Sequence, residues 1–411
     1  MANRVGRKVY RTNAGNRRRR TKKAFKVMFI IILLAALVFV GYCVAQPVFE
    51  YFGERESGNA DDGTKPWTPP VSDSTDKTGD SGESGNEGET QTDTPKEDEP
   101  VRNENVRFSA YRLPVAALAS TDALTAALNS AKEGGYTAIA VTLKDKGGKL
   151  YYKTASEMAM SDESAVAGEL YSGQICSMIR AAGFTPIASV NLLEDNNRYG
   201  AERDGAYRFS GSVSTWLDNS VENGGKPWLS PFDTDTQSYA AFLANEVASS
   251  GFEYVIFDGI VFPPFRNSDL NIVGDIVKSA DRYKALVNVA NIAVNAVQQN
   301  EAEAVVMLSA GGIIDGTAEA FKPAELNTDY IAVYYTVSEI PGTAVINGEE
   351  IALSELAAFD RAETVLGEIK RLAGEDKVII PVMRQAEFSQ ADFSDTISAV
   401  MSVGCDSYVI L

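Results

Sequence analysis

From Val106 to the last residue, short apolar runs alternate with longer amphipathic stretches, and this alternation limits the fold more than any other feature of the chain. The runs Val106–Arg112, Thr137–Lys144, Thr185–Asn191, Glu253–Asp258, Ala304–Ser309, Tyr330–Tyr335, Val378–Met383 and Ser407–Leu411 read as strands. Each has the length and the apolar content of a strand buried on both faces. Between them, Ser120–Lys132, Ala165–Ala182, Thr236–Ser250, Asp275–Asn300, a short piece around Ala318–Leu326, Leu353–Ala373 and Ser389–Val403 read as helices. Gly135, Gly183, Gly251 and Gly404 each stand shortly before a strand, where a helix would end in a left-handed cap. Eight strands in strict alternation with helices predict the α/β class and a (β/α)8 barrel of the TIM type. An open doubly wound sheet is the competing fold, disfavoured because no Gly-x-Gly-x-x-Gly turn follows the first strand. The last residue falls inside the eighth strand, so no eighth helix is expected.

Charge divides the chain before the barrel begins. Residues 1–26 hold eleven Lys/Arg and no Asp/Glu, leaving 27 basic against 56 acidic residues beyond them, a net of −29. So acidic a remainder repels phosphate, and the basic arm is not a nucleic-acid footprint. It abuts Val27–Ala45, nineteen uncharged residues rich in Ile, Leu and Val, enough to cross a hydrocarbon core of about 30 Å as a helix. Positive charge on its N-terminal side holds that end in the cytoplasm. A cleaved signal peptide competes, with Cys43-Val-Ala45 before Gln46 as a cleavage-like site. Both the basic arm and the apolar stretch are long for a signal peptide, however, and an uncleaved signal anchor over 27–46 is the expectation. Residues 47–105 are dense in Ser, Thr, Gly, Pro, Asp and Glu, a composition that buries too little apolar surface to fold and reads as a disordered spacer. The barrel would then span 106–411, on the far side of the cell membrane.

The chain has no histidine. Ser-His-Asp and Cys-His catalysis, His-ligated zinc and imidazole proton shuttles are thereby removed, and no metal or other cofactor is expected. Hydrolysis by a pair of carboxylates passes this filter. Beyond the membrane segment there are only Cys176 and Cys405, both in apolar contexts that read as buried free thiols.

One strand end stands out. In Glu253-Tyr-Val-Ile-Phe-Asp258-Gly-Ile-Val-Phe-Pro-Pro264 an apolar strand stops at one carboxylate and turns through Gly259 into an apolar loop. A charge there is costly unless solvent, a partner or a ligand meets it, and in parallel α/β folds that spot carries catalytic and binding groups. The structural alternatives are a helix cap or an ion pair between Lys144 and Asp258. Period-two alternation puts Ile139, Val141 and Leu143 on one row and Ala140, Thr142 and Lys144 on the other, so Lys144 is expected in the barrel mouth. Ser189, Asn191, Asp258 and Ser309 fall on inward rows by the same logic, and Tyr335 and Arg384 are favoured near the mouth. Two stretches, Asn191–Asp235 and Thr336–Ala352, are long for connections and leave C-terminal strand ends, where long loops build sites.

The segment Trp228-Leu-Ser-Pro231, Tyr239, Glu246, Gly251-Phe252 and Phe257-Asp258-Gly-Ile-Val-Phe262-Pro263 resembles the putative glycosyl hydrolase domain family. Thr142-Leu-Lys144-Asp145 with Gly148 is similar to an early strand and loop of that family, Asp195 to the aspartate closing its next strand, and Pro381 with Gln385 to a late motif. The resemblance implies a TIM barrel related to sugar-cleaving enzymes, with Asp258 as the catalytic carboxylate. Gly259 stands where the family has Tyr, Val261 where it has Arg, and Ser189 where a third-strand Arg is usual. The sixth strand lacks the family's Pro-Met-x-Tyr-Pro run.

A glycosidase needs a second carboxyl about 5–5.5 Å away for retention or about 6.5–9.5 Å for inversion. Asp145, Glu194, Asp195, Asp315, Glu339 and Glu387 stand near other strand ends, and no spacing rule chooses among them. The resemblance adds Asp145 and Asp195 to Asp258 as catalytic candidates. Lys144, Asn191, Trp228, Phe262, Tyr335 and Arg384 are the substrate-binding candidates: Lys144 and Arg384 to keep Asp258 ionised, the aromatic rings, with Trp216, to stack on sugars. The expected function is a membrane-anchored hydrolase of cell-wall or extracellular polysaccharide. The alternative is an inactive barrel that binds glycan or an envelope protein.

Overall fold

The computed structural model describes residues 108–154, 166–198, 205–274, 277–278, 280–316 and 322–411. The expected basic arm, membrane anchor and spacer lie outside these residues. Among the described residues no helix is long and apolar enough to cross a membrane.

Eight parallel strands close into a barrel: β1 (Ser109–Arg112), β2 (Ala138–Lys144), β3 (Thr185–Asn191), β4 (Tyr254–Asp258), β5 (Glu303–Ser309), β6 (Tyr330–Tyr334), β7 (Val378–Met383) and β8 (Tyr408–Ile410). Each pairs with its chain neighbour, and β8 returns to β1 through Ser109 opposite Tyr408 and Ala110 opposite Val409. All eight strands match the sequence reading, and the barrel rather than the open sheet is the fold. Both thiols, Cys176 and Cys405, are free and buried.

Among the described residues the longer helices are α1 (Thr121–Glu133), α2 (Ser172–Ala181), α3 (Thr234–Ser249), α4 (Arg282–Gln298), α5 (Ala310–Asp315), α6 (Ala358–Ala373) and α7 (Gln390–Ser402), with a single turn at Asn267–Leu270. Side chains of Ser120, Asp233, Asp281 and Ser389 accept backbone N–H groups at four N-termini, satisfying donors that the helix leaves free. Gly135, Gly183, Gly251 and Gly404 have φ between +71° and +94°, the cap conformation the sequence called for.

Four helices differ from the sequence reading: α4 begins at Arg282, after the capping Asp281, rather than at Asp275. α2 begins at Ser172 rather than Ala165, because Val166 and Tyr171 bridge to Leu150 and Lys153 and extend the chain there. α6 begins at Ala358, after a 3-10 turn over Leu353–Glu355. After β5 the described helix is α5, with only a 3-10 turn at Pro323–Glu325 where a longer piece was expected.

The barrel interior is graded along its axis. At the N-terminal end Phe108, Tyr254 and Tyr330 pack ring against ring, with centroids 5.3 and 5.6 Å apart. Above them Ala110, Ala138, Ala140, Ile187, Ile256, Val305, Ala332, Ile380, Val382 and Val409 fill the middle. Wide rings below and small side chains above close the bottom and leave the C-terminal mouth open. The larger core lies outside the strands, where Ile139, Val141, Leu143, Val190, Val255, Phe257, Val306 and Val333 meet the helices.

Candidate active site

The inward rows end in polar groups. Arg112, Thr142, Ser189, Asp258, Ser309, Tyr334 and Arg384 face a cleft of about 680 Å³ at the C-terminal mouth, joined from the loops by Asp145, Glu194, Val261, Phe262 and Glu339. Asp258 ends β4 directly opposite Asn191, the end of β3. The two chains continue together past the strands, Leu192 N donating to Asp258 O at 2.9 Å and Leu193 N to Gly259 O at 3.3 Å. Gly259 has φ +65°, and a Cβ there would lie 2.2 Å from the Asn191 amide. Glycine at 259 and asparagine at 191 are thus fitted to each other, where the resembling family has tyrosine at the first position.

Asn191 is also the clasp for Glu194. Its Oδ1 accepts the Glu194 N–H at 3.1 Å and its Nδ2 donates to Glu194 Oε2 at 3.4 Å. Burial raises the Glu194 pKa, and the charge of Asp258 raises it further, against Lys146, Asn191 and Lys144. Burial also raises the Asp258 pKa. The Gly259 N–H, 2.6 Å from Asp258 Oδ1, and the charges of Arg112 and Lys146 oppose that rise, while Glu339 adds to it. Burial is thus the larger cause of both shifts, and the charge of Asp258 adds to that of Glu194.

Arg112 ends the row Phe108, Ala110, Arg112. Its Nη2 donates to Ser189 Oγ at a long 3.4 Å, and its buried Nε has no hydrogen-bond partner. Glu339, on the loop after β6, accepts from Ser309 Oγ at 3.0 Å. The same loop holds a hairpin, Ala344–Ile346 with Glu349–Ile351.

The remaining sequence candidates fall in different places. Asp145 borders the cleft, but its oxygens accept from Gly147 N (2.8 Å), Lys149 N (3.0 Å) and Tyr151 OH (2.9 Å), closing its own loop. Lys144 borders the cleft with its side chain 0% exposed: the ammonium lies 3.0 Å from Asp195 Oδ2 and 2.8 Å from Asn191 O. The ion pair of Lys144 is therefore with Asp195 and not with Asp258. A bulge explains this. Thr142 pairs with Ser189, yet Lys144 pairs with Val190, whose side chain faces the helices, so the extra residue turns Lys144 off the inward row. Asp195 is 1% exposed and also accepts the N–H groups of Asn197 (3.0 Å) and Arg198 (2.9 Å).

Phe262 borders the cleft beside Phe232 and Phe265. Trp228 does not line it, its Nε1 donating to Asp218 at 3.0 Å, and Trp216 is buried against Tyr207 and Phe265. Tyr335, 1% exposed, faces away from the interior and stacks on Phe388 at 6.4 Å, while its neighbour Tyr334 faces the cleft with Arg384. Asp315 is exposed, and Glu387 accepts from the Thr336 hydroxyl and sits 3.7 Å from Arg384. Arg112 and Tyr334 were not singled out from the sequence, although carrying the period-two rule through β1 from Phe108 reaches Arg112.

Comparison with known proteins agrees with this architecture. The glycoside hydrolase domain of PgaB (BpsB) from Bordetella bronchiseptica superposes with a TM-score of 0.50 at 12% identity, over 75% of this chain and 94% of that one. A hypothetical protein from Ruminiclostridium thermocellum gives 0.39 at 17%, over 48% and 96%, and a chitobiase from Flavobacterium johnsoniae gives 0.44 at 10%, over 70% and 42%. At 12% identity, the likeness to the PgaB domain is one of fold alone. No curated protein matches the sequence. Residues 111–313, which run from the end of β1 through β5 and include Asp258, Glu194 and Arg112, match the profile of the putative glycosyl hydrolase domain.

Proposed function

We propose that the barrel hydrolyses glycosidic bonds with Glu194 as general acid and Asp258 as nucleophile or base. The observation that carries this reading is that Glu194 and Asp258 line one open cleft, with Asn191, opposite Asp258 in the sheet, clasping Glu194. Glu194, whose protonated form is favoured by burial and by the charge of Asp258, delivers its proton to the departing sugar oxygen. Asp258, whose ionised form the Gly259 N–H and Arg112 favour, attacks the anomeric carbon or draws a proton from water. A separation of about 5–5.5 Å selects the first course and about 6.5–9.5 Å the second. Phe262 and Tyr334 offer faces on which a sugar ring stacks.

Residues 1–26, 27–46 and 47–105 supply the rest of the proposal: a basic cytoplasmic arm, a membrane anchor and a spacer presenting the barrel outside the cell, where the substrate is cell-wall or extracellular polysaccharide. Protease added to intact spheroplasts should then remove the barrel and leave the arm; full protection of the barrel would refute the placement. For the chemistry, the full-length chain is incubated with such polysaccharides and the release of reducing ends is measured. Glu194→Gln and Asp258→Asn are each expected to lower turnover by about 100- to 10,000-fold, and turnover unchanged in either variant refutes its role. A second reading, a barrel that binds glycan or an envelope protein without cleaving it, is favoured by Val261. That side chain is 48% exposed on the cleft rim and offers no donor where the family has arginine. Binding without release of reducing ends would select it.

A further inference from the structure

The strand ends at the mouth of the cleft carry opposite charges on two arcs, while Lys146 and Glu339 reach in from loops. Going round the barrel, β1, β8, β7 and β6 are contiguous, and their mouth positions are Arg112, Leu411, Arg384 and Tyr334. Glu194 and Asp258 stand on the opposite arc, at β3 and β4. Arg112 feels the charges of Asp258, Tyr334 and Arg384, yet among the described residues no ion pair closes on its guanidinium, whose hydrogen bond is the long one to Ser189. Asp258 Oδ1 is engaged by the Gly259 N–H. A guanidinium at the base of a cleft, with a buried Nε that nothing accepts, leaves donors unsatisfied in a place where that is costly. What satisfies them is a planar anion matching the guanidinium fork.

We propose that the cleft recognises a sugar carrying a carboxylate, such as a uronic acid, with the carboxylate against Arg112 and Arg384 and the scissile bond towards Glu194 and Asp258. This deepens, and rests on, the glycoside hydrolase reading of the same cleft. Leu411, between the two arginines, gives the C–H face of the ring an apolar floor. A phosphate ester fits less well, because its second charge would be set against Asp258, Glu194 and Glu339. The net negative charge of the chain does not oppose the binding of a carboxylate: fixed charges beyond about 8 Å are screened at physiological salt, whereas Arg112 and Arg384 make direct contact.

Binding is measured calorimetrically with full-length Glu194→Gln, which keeps substrate intact, against uronic-acid tetrasaccharides of several linkages, neutral tetrasaccharides of the same length, and glycerol phosphate. The uronates should bind, and Arg112→Gln or Arg384→Gln should each weaken them about 10- to 100-fold, with neutral sugars little affected. Arg112→Lys, which keeps the charge and loses the fork, should recover only part of the affinity. Arg384 is half-exposed, so its variant keeps the test valid if Arg112→Gln fails to fold, which a thermal melt reads directly. No saturable binding of any uronate, equal binding of neutral sugars, preference for glycerol phosphate, or affinity indifferent to both arginines overturns the proposal. Arginine-dependent uronate binding without bond cleavage by the wild type would sustain it and remove the hydrolytic reading. Cleavage of a neutral glycan at undiminished rate by Arg112→Gln would do the reverse.

Discussion

Breaking the buried pair of Lys144 and Asp195 separates what these side chains do for the fold from what they do for the chemistry. Both are sealed, at 0% and 1% exposure and 3.0 Å apart. Removing one charge from such a pair strands the other, at a cost of about 3–5 kcal/mol. Asp195→Asn belongs at the lower end, because the amide oxygen can still accept from Asn197 and Arg198, as the carboxylate does. At about 2–4 °C per kcal/mol for a large domain, it should melt about 6–12 °C below wild type by circular dichroism. Lys144→Met should melt lower as well, since it strands Asp195 and frees the Asn191 carbonyl that Lys144 holds at 2.8 Å. The double variant removes both charges of the pair and should recover most of the loss, a coupling that independent sites do not show. Single variants within 1 °C of wild type, or losses that simply add, would refute the assignment of a structural pair. Asp195→Asn that melts normally but no longer releases reducing ends would return Asp195 to the reacting groups.

The raised pKa of Asp258 makes stability depend on pH in a definite direction. A carboxyl whose folded pKa lies above its unfolded value of about 3.9 contributes stability that is fully present below that value and lost as pH rises through the folded pKa. Asp258→Asn should therefore match wild type near pH 3 and exceed it by pH 7.5 in urea midpoint; a constant difference across that range would contradict burial as the cause of the shift. Gly259→Ala meets both a left-handed backbone, at about 1–2 kcal/mol, and the Asn191 amide 2.2 Å from the new Cβ. It should be destabilised, and Asn191→Ala in the same chain should restore part of the loss. An alanine at 259 as stable as glycine would show that the two residues are not fitted to each other.

How much of this was legible in the sequence depends on how far period-two alternation holds. It holds through β3 and β4, so Asn191 and Asp258 stand opposite each other at the cleft as their rows require. It also holds through β1, where following Phe108 and Ala110 leads to Arg112. It fails within β2, because a single extra residue between Thr142 and Lys144 exchanges the two faces of the strand, and nothing in Thr142-Leu-Lys144-Asp145 marks the bulge. In β6 both Tyr334 and Tyr335 suit a strand, and only its register with β5, Leu308 opposite Val333 and Ser309 opposite Tyr334, decides which ring meets the cleft.

Glu194, the proposed acid, was not separable from its neighbour for a different reason. Glu194 and Asp195 are adjacent in the chain and chemically alike, and what separates them is their neighbours: an asparagine clasp and open cleft for one, a buried ammonium for the other. Those neighbours come from the bulge in β2 and from the clasp at the end of β3. The displaced Lys144 draws Asp195 inward and holds the Asn191 carbonyl, fixing the chain on either side of Glu194 and leaving that side chain directed at the mouth. The irregularity in β2 thus fixes the loop that carries Glu194.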